Sequence, residues 1–292
     1  MNNTERRPDY LVVGHVTKDL LPGGQGVTAG GTASYSALTA QRLGLRAAIV
    51  TACAREDDYL LDEARQAGIW VCSIEAPHTT TFRNIYDGRG HRTQIIGAQA
   101  SPIAYGDIPE AWRGAAIVHL GPVAQELDEN MPRLFRECLL GITPQGWLRS
   151  WDGEGRVTHS AWPITAALRD LPKNAFLVLS IEDLDYAPRL VDAYVKLAPQ
   201  VAITEGAGEA TIYSNGRVVK VPAYRSASID PTGAGDVFAT ALFVRYKETG
   251  DPAVATRFAH AAAAIAIEGP GTSAIPDRAG VEGRMRDVLR TT

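Results

Sequence analysis

The sequence predicts an α/β fold: a doubly wound, mainly parallel sheet flanked by helices, with a small β flap beside it. Short apolar runs recur along the chain, and the stretches between them are patterned as helices, the alternation that builds parallel sheets. Several runs are continuously apolar instead of alternating, as strands covered on both faces must be. Two segments break the rhythm with β-formers and turn residues, and these supply the flap.

In chain order, residues 11–13, 47–51, 117–120, 176–179 and 201–204 are the core strands. A helix over 33–43 ends at Gly44 and another over 59–67 ends at Gly68, each glycine standing where a chain leaves a helix in the left-handed conformation. The flap takes residues from about 16–29, with Pro22-Gly23-Gly24 inside, and from about 76–98, a hairpin around Asp87-Gly88-Arg89-Gly90. A second hairpin pairs 210–213 with 218–221 around Ser214-Asn215-Gly216-Arg217, where Asn-Gly suits a type I′ turn. Residues 237–247 read as an amphipathic helix stopped by Gly250, and Ala261 to Ala264 as a closely packed helix segment. With no linker, repeat or low-complexity tract, residues 1–292 read as one domain.

Composition narrows the function. The 292 residues are 45% apolar and 21% charged, as in a soluble protein with a full core. Lysine and arginine total 29 against 33 acidic residues, a formal charge of -4, which leaves no electrostatic footprint for nucleic acid or an anionic membrane. The first apolar run is too short for a signal peptide or a membrane span, so the chain is expected in the cytoplasm. Cys53, Cys72 and Cys138 lack metal-ligand spacing and read as reduced, mostly buried thiols. The histidines are scattered, with no zinc-binding pair, and His119 at the end of an apolar run reads as a core or rim residue. Gly24-x-Gly26 and Gly206-x-Gly208 fall short of the dinucleotide fingerprint, which disfavours a nicotinamide oxidoreductase, and there is no P-loop pattern.

The most informative stretch is Asp230-Pro231-Thr232-Gly233-Ala234-Gly235-Asp236, a glycine-rich loop delivered onto a helix N-terminus. Such a terminus presents unpaired N–H groups and a partial positive charge. Gly233 and Gly235 remove side chains that would keep a phosphate from those donors, so Gly233, Ala234 and Gly235 together form an anion hole for a transferred phosphoryl group. Asp236, in the first helical turn, is then placed to accept the proton of an attacking hydroxyl. A Gly-x-Gly alone would be only a tight loop and Asp236 a dipole-compensating residue; the whole string, with an acid at each end, favours phosphoryl transfer.

That string resembles the C-terminal signature of the ribokinase-like (PfkB) carbohydrate kinases, and the resemblance runs over nearly the whole chain. It implies a ribokinase-like fold, with Asp236 as the catalytic base and ATP and Mg2+ as cofactors, alongside a monovalent cation such as K+. Gly30-Gly31-Thr32-Ala33-Ser34-Tyr35-Ser36-Ala37 resembles the family's double-glycine motif, and Asp19 matches its aspartate for substrate hydroxyls; Asp19, Gly30, Gly31 and Arg149 are therefore the substrate-binding candidates. Arg149 is equally open to a solvent-facing role. Thr204-Glu205-Gly206-Ala207-Gly208 resembles the nucleotide-binding segment, so Thr204, Gly206, Gly208, Thr232, Gly233 and Gly235 are assigned to the donor. His260 joins them from the helix that holds the adenine pocket in the family, and Gly271 from Glu268-Gly269-Pro270-Gly271-Thr272, which resembles the loop near the base and the cation site.

The chain departs from the family pattern in places. The family's Asn-x-x-Glu motif, which organises magnesium through water, is replaced by Ser180-Ile181-Glu182-Asp183, leaving Asp183 and Glu182 as alternatives. The substrate-side segment reads His15-Val16-Thr17-Lys18-Asp19 instead of Asn-x-x-x-Asp. The second glycine of the nucleotide segment sits one position early. The Asp-Pro-Thr opening, Thr204-Glu205-Gly206 and Gln145-Gly146-Trp147-Leu148-Arg149 are similar to plant-type myo-inositol kinases and their bacterial relatives. The expected activity is phosphorylation of a hydroxyl on a small polyol or sugar. A nucleoside kinase of the same fold and a non-catalytic sugar or nucleotide sensor are the alternatives, and the protein is expected as a monomer or homodimer.

Overall fold

The computed structural model describes residues 3–21, 26–86, 92–159, 166–185 and 187–291. Residues 22–24 and 87–90, the expected flap turns, lie outside the described residues. The chain opens with β1 (Tyr10–Val13), β2 (Thr17–Leu20), β3 (Val27–Gly30), α1 (Gly31–Arg42), β4 (Ala47–Cys53), α2 (Asp62–Gln66) and β5 (Trp70–Glu75). It continues through β6 (Thr81–Tyr86), β7 (Arg92–Ala98), β8 (Ile117–Leu120), β9 (Leu139–Ile142), β10 (Arg149–Trp151), β11 (Val157–His159), α3 (Ala166–Arg169) and β12 (Ala175–Ser180). It closes with α4 (Pro188–Leu197), β13 (Gln200–Thr204), β14 (Glu209–Ser214), β15 (Arg217–Pro222), α5 (Ala234–Thr249), α6 (Pro252–Ala266) and α7 (Arg278–Thr291).

The main sheet runs β15-β14-β13-β12-β9-β8-β1-β4-β5, parallel except at β14 and β15, which form the Asn215-Gly216 hairpin. Both turn residues have positive φ, 51° and 73°, as a type I′ turn requires. The order reverses at β1, which pairs with β4 on one side and β8 on the other. A crevice beyond the carboxyl ends of β1 and β8 is therefore the natural place for a ligand. The two strand ends meet closely there: a Cβ on Gly14 would stand 2.3 Å from the Gly121 carbonyl oxygen.

Each face of the sheet carries its own core. Tyr10, Val12, Ile49 and Phe176 pack beneath α1, α5 and α6, while Leu11, Val13, Val50 and Leu177 pack on the opposite side with Tyr194 of α4. The expected continuously apolar strands are thus covered on both faces. Helix α5 departs from the amphipathic pattern read for it: Val237 through Val244 are all buried. It lies in an apolar layer between the sheet and α6, with Phe243 against Gly141 of β9, where a Cβ would come within 2.3 Å of the ring. Its height over the sheet is also set by a polar chain. The Tyr10 hydroxyl is 3.0 Å from Thr240 Oγ1 and 2.8 Å from His119 Nδ1, and His119 Nε2 is 2.9 Å from Thr143 Oγ1. Burial lowers the His119 pKa to about 3, so the ring is neutral and belongs to the core.

The two flap segments join in one four-stranded sheet, β3-β2-β6-β7, with β2 and β6 parallel. Strand alternation puts Thr17, Asp19, Phe82, Asn84 and Gln94 on its inner face. The hairpin β10–β11, which the sequence reading lacked, extends this lid: Ile96 N–H donates to Gly155 O at 2.8 Å. Cys53, Cys72 and Cys138 are free thiols. No described helix is long and apolar enough to cross a membrane.

Candidate active site

The loop 230–236 is held by its first acid. Asp230 Oδ1 accepts from Thr232 N–H at 3.0 Å and Oδ2 from Gly271 N–H at 2.9 Å. Burial pushes the Asp230 pKa up, but the bonds from Thr232 and Gly271 outweigh it and hold the carboxyl below the usual range. Gly233 caps α5 with φ 75°, and a Cβ there would fall 2.1 Å from the Tyr35 ring. Ala234 N–H is already given to Pro231 O at 3.2 Å, which removes it from the expected anion hole. The amides of Gly233, Gly235 and Asp236 have no acceptor among the described residues. A Cβ on Gly235 would meet nothing within 4 Å, so the helix start has room on that side.

On one side of the loop lies a cavity of about 110 Å³ at the crevice between β1 and β8. Asp236 and Thr232 enter it from the loop, Gly31, Thr32 and Tyr35 from the start of α1, and Arg149 from β10. The lid supplies Thr17, Asp19, Phe82, Asn84 and Gln94, and Val123 and Gln145 complete the wall. Burial drives the Asp236 pKa up to about 6; a hydrogen bond from Thr32 and the Arg149 charge pull it down, and the Asp183 charge adds to the rise. Arg149 is buried, not solvent-facing: its Nη1 donates to Val123 O at 3.0 Å and its guanidinium stands 5.2 Å from the centre of the Phe82 ring. Asp19 Oδ1 accepts from Thr17 Oγ1 at 2.8 Å. Gly30 does not line the cavity but backs it, since a Cβ there would lie 2.4 Å from Asp19 Oδ2. Gly31, at φ 85°, brings the start of α1 against His15 O, 2.4 Å from where a Cβ would be.

On the other side of the loop lies a larger, mostly apolar cavity of about 600 Å³, which Pro231 and Ala234 face. Gly206, Ala207, Tyr224, His260, Ala264 and Ile267 are among its walls. His260 Nε2 bonds Val221 O at 3.1 Å, and burial lowers its pKa to about 4, so the ring is neutral. Of the expected donor residues only Gly206 and His260 line this cavity; Thr232 lines the smaller one, and Thr204, Gly208, Gly233, Gly235 and Gly271 line neither. The Thr204 hydroxyl donates to Leu179 O at 3.3 Å, Gly208 lies against Glu205, and Gly271 braces Asp230.

Asp183 and Glu182 separate clearly. Glu182 is exposed, whereas Asp183 is turned inward, accepting from Gln145 Nε2 at 3.4 Å and Ser180 N–H at 3.2 Å, and its charge is felt by Asp236. Among the described residues no group of three or more His, Cys, Asp or Glu could hold a metal. Of the two expected magnesium carboxylates, Asp183 is therefore the one turned toward the cavity wall at Gln145.

The cavity residues that the sequence reading did not name as site candidates are Thr17, Thr32, Tyr35, Phe82, Asn84, Gln94, Val123 and Gln145. Thr32 and Tyr35 lie inside the double-glycine segment and the alternation of β6 marks Phe82 with Asn84, so a signal existed for these. No sequence signal marked Val123.

Comparison with known proteins agrees with this geometry. The pfkB family carbohydrate kinase profile matches residues 177–278. Inositol 3-kinase of Oryza sativa subsp. japonica is 30% identical over 245 residues, 78% of this chain and 60% of the rice protein, so the chain spans about three-fifths of that relative's length. A pyrophosphate-dependent kinase in the ribokinase family, complexed with a pyrophosphate analog and myo-inositol, superposes with TM-score 0.79 at 22% identity, covering 94% of this chain and 99% of that one. Fructokinase with bound ATP from Xylella fastidiosa superposes with TM-score 0.75 at 19% identity, covering 96% and 99%. The fold of these neighbours runs through the chain, and the segment that matches the pfkB family carbohydrate kinase profile contains the loop from Asp230 to Asp236.

Proposed function

We propose that this protein transfers the terminal phosphoryl group of ATP to a hydroxyl of a small polyol or sugar, with a cyclitol such as inositol as the favoured acceptor. One observation carries the reading: the loop 230–236 divides two cavities, with Asp236 and Thr232 facing one and Pro231 and Ala234 facing the other. An acceptor in the smaller cavity and a nucleotide in the larger would meet at the unpaired amides of Gly233, Gly235 and Asp236. The rice inositol 3-kinase and the neighbour holding myo-inositol support the acceptor class.

The chain's residues divide the work as phosphoryl transfer requires, by positioning and charge. Asp236 accepts the proton of the reacting hydroxyl as that oxygen attacks the terminal phosphorus. The free amides of the loop receive the developing negative charge of the transferred group. Arg149 and Asp19 hold the acceptor, and the lid keeps water from competing with it. Magnesium bound with the donor phosphates would neutralise their charge, and Asp183 is the residue that would hold it, through water. A cytoplasmic setting, where ATP is abundant, fits this chemistry.

A second donor belongs in the test, because three structural neighbours are pyrophosphate-dependent kinases. The larger cavity favours ATP: pyrophosphate has no use for an apolar space of about 600 Å³ walled by alanines, Tyr224 and Ile267. The experiment is a coupled assay with ATP or pyrophosphate against inositols, pentoses, hexoses and nucleosides. The expected result is ADP formation dependent on a polyol or sugar and lost in Asp236→Asn. Product formation with pyrophosphate alone overturns the donor, preference for a nucleoside overturns the acceptor, and wild-type turnover by Asp236→Asn overturns the base.

A further inference from the structure

The segment that follows β8 carries a buried carboxylate and a strained glutamine that the reaction as described does not use. Glu126 is buried, and its oxygens accept from the N–H groups of His15 at 2.9 Å, Val123 at 3.0 Å and Ala124 at 2.7 Å. Gln125, beside it, is exposed and stands at φ 61°. We infer that residues 122–127 form a strap that positions Arg149, with Glu126 as its anchor on the body and Gln125 as its grip on the arginine; this rests on the kinase reading above.

The strap holds Arg149 at both ends. Val123 O accepts from Arg149 Nη1 at 3.0 Å, and Gln125 Nε2 donates to Arg149 O at 2.6 Å. Guanidinium and main chain are thus fixed by neighbours in one short segment. That segment is bolted to the body at the crevice, because Glu126 Oε1 accepts from the His15 N–H two residues past β1. The same carboxylate closes on the Val123 and Ala124 amides, so the turn that presents the Val123 carbonyl is built around it. A carboxylate that accepts several N–H groups is a firm anchor, since each bond is charge-assisted. Both ends of the strap are tied to the stretch that leads into Arg149. Gly146 N–H donates to Pro122 O at 2.7 Å, and Trp147 Nε1 donates to Leu127 O at 2.7 Å.

The backbone of Gln125 shows that the grip matters. Glycine adopts a left-handed φ freely and asparagine tolerates it, but glutamine is not favoured there. What glutamine adds is reach, which carries its amide to the Arg149 carbonyl. Strain of this kind persists only where the surroundings enforce it, and it gathers at functional sites. Here the strained residue holds an arginine that lines the smaller cavity and whose charge opposes the rise in the Asp236 pKa. A small displacement of that cation would be felt at the reacting centre.

The test measures Gln125→Gly, Gln125→Met and Glu126→Gln, each in the wild-type and the Arg149→Met background. The donor is ATP and the acceptor is myo-inositol, ribose or fructose, whichever wild type phosphorylates best. With Arg149 present, each variant should lower kcat/KM for the acceptor about tenfold and leave the KM for ATP unchanged. The acid limb of the pH profile should move to higher pH, as loss of the Arg149 charge would move it. In the Arg149→Met background each should change kcat/KM by less than about twofold, because the residue they position is gone. Glycine removes the strain with the grip and methionine removes the grip alone, so equal losses trace the effect to the bond. Both Gln125 variants should melt within a few degrees of wild type, since the residue is exposed. A loss that is the same in both backgrounds, a loss confined to Gln125→Gly, or wild-type kinetics in the Gln125 variants overturns the assignment. Glu126 is buried, so if Glu126→Gln does not fold the Gln125 pair decides alone. A wild type that phosphorylates none of the three acceptors overturns the kinase reading, and this inference with it.

Discussion

A carboxyl withdrawn from water and set near a second carboxyl keeps its proton to higher pH, and Asp236 is in that position. Its pKa of about 6 is due first to burial; Thr32 and Arg149 oppose the rise and Asp183 adds to it. The proposed base must be ionised to act, so kcat/KM should fall on the acid side with an apparent pKa near 6. Arg149→Met removes a stabilising cation and should move that limb to higher pH, while Asp183→Asn removes a like charge and should move it lower. A limb that stays in place in both variants would mean that another group controls the profile. The linkage to stability has the opposite sense. The folded pKa lies above the unfolded value, so the folded state binds more protons in between, and stability is lost as pH rises from about 4 through about 6. Asp236→Asn should therefore melt higher than wild type at pH above 6, with a smaller difference in acid. Asp19, Gly31, Thr232 and Asp236 were readable from motif position alone, and they share one cavity. Thr204 and Gly208 were readable as positions but not as contacts, because a motif does not show that a hydroxyl is spent on a neighbouring carbonyl. Asn84 and Gln94 were missed for a different reason: alternation gives a strand its two faces, but the pairing of β6 with the distant β2 decides which face covers the site.

The start of α5 is the element on which the proposed chemistry turns, and its two glycines differ in what surrounds them. Gly233 needs its left-handed φ of 75° and has the Tyr35 ring where a Cβ would go, at 2.1 Å. Gly235 has no positive φ and faces open space. Gly233→Ala should therefore lower the melting temperature, by backbone strain of about 1–3 kcal/mol plus the clash, and lower activity with it. Gly235→Ala should melt like wild type yet lose transfer, because its methyl would stand in the space left for phosphate. Equal melting losses for the two variants would contradict this division. The glycine–helix pattern was plain in the sequence, as were Gly44, Gly68 and the Asn215-Gly216 turn, because each is a local steric requirement. The burial of α5 on every side was not: a helix between sheet and helix needs no polar face, and only the fold shows what covers it. The hairpin β10–β11 was invisible because its strands are three residues each and carry polar side chains, with neighbours supplied by the lid.

At the scale of the whole molecule, the proposed transfer requires the lid and the body to meet first, since a terminal phosphate reachable by water is hydrolysed without profit. An ion pair is among the contacts that tie them. Lys18 of the lid strand β2 reaches Asp57 in the 3₁₀ turn after β4, with Nζ 2.6 Å from Oδ1 and side-chain exposures of 28% and 8%. Asp57 keeps a second hydrogen bond, from Thr79, so removing the lysine does not strand a bare buried charge. A partly exposed pair of this kind contributes about 1 kcal/mol at most, small against global stability but enough to change several-fold how often the lid stands open. Lys18→Met should therefore leave the melting temperature within a few degrees of wild type. It should raise ADP release in the absence of acceptor relative to acceptor-dependent turnover, and the same ratio in wild type should rise at high salt, which screens the pair. If acceptor-free hydrolysis and the transfer ratio are the same in Lys18→Met as in wild type, the ion pair is only a surface contact, and closure must be governed by the apolar packing of Val16 with Cys53, Leu60 and Leu61 at the root of the lid.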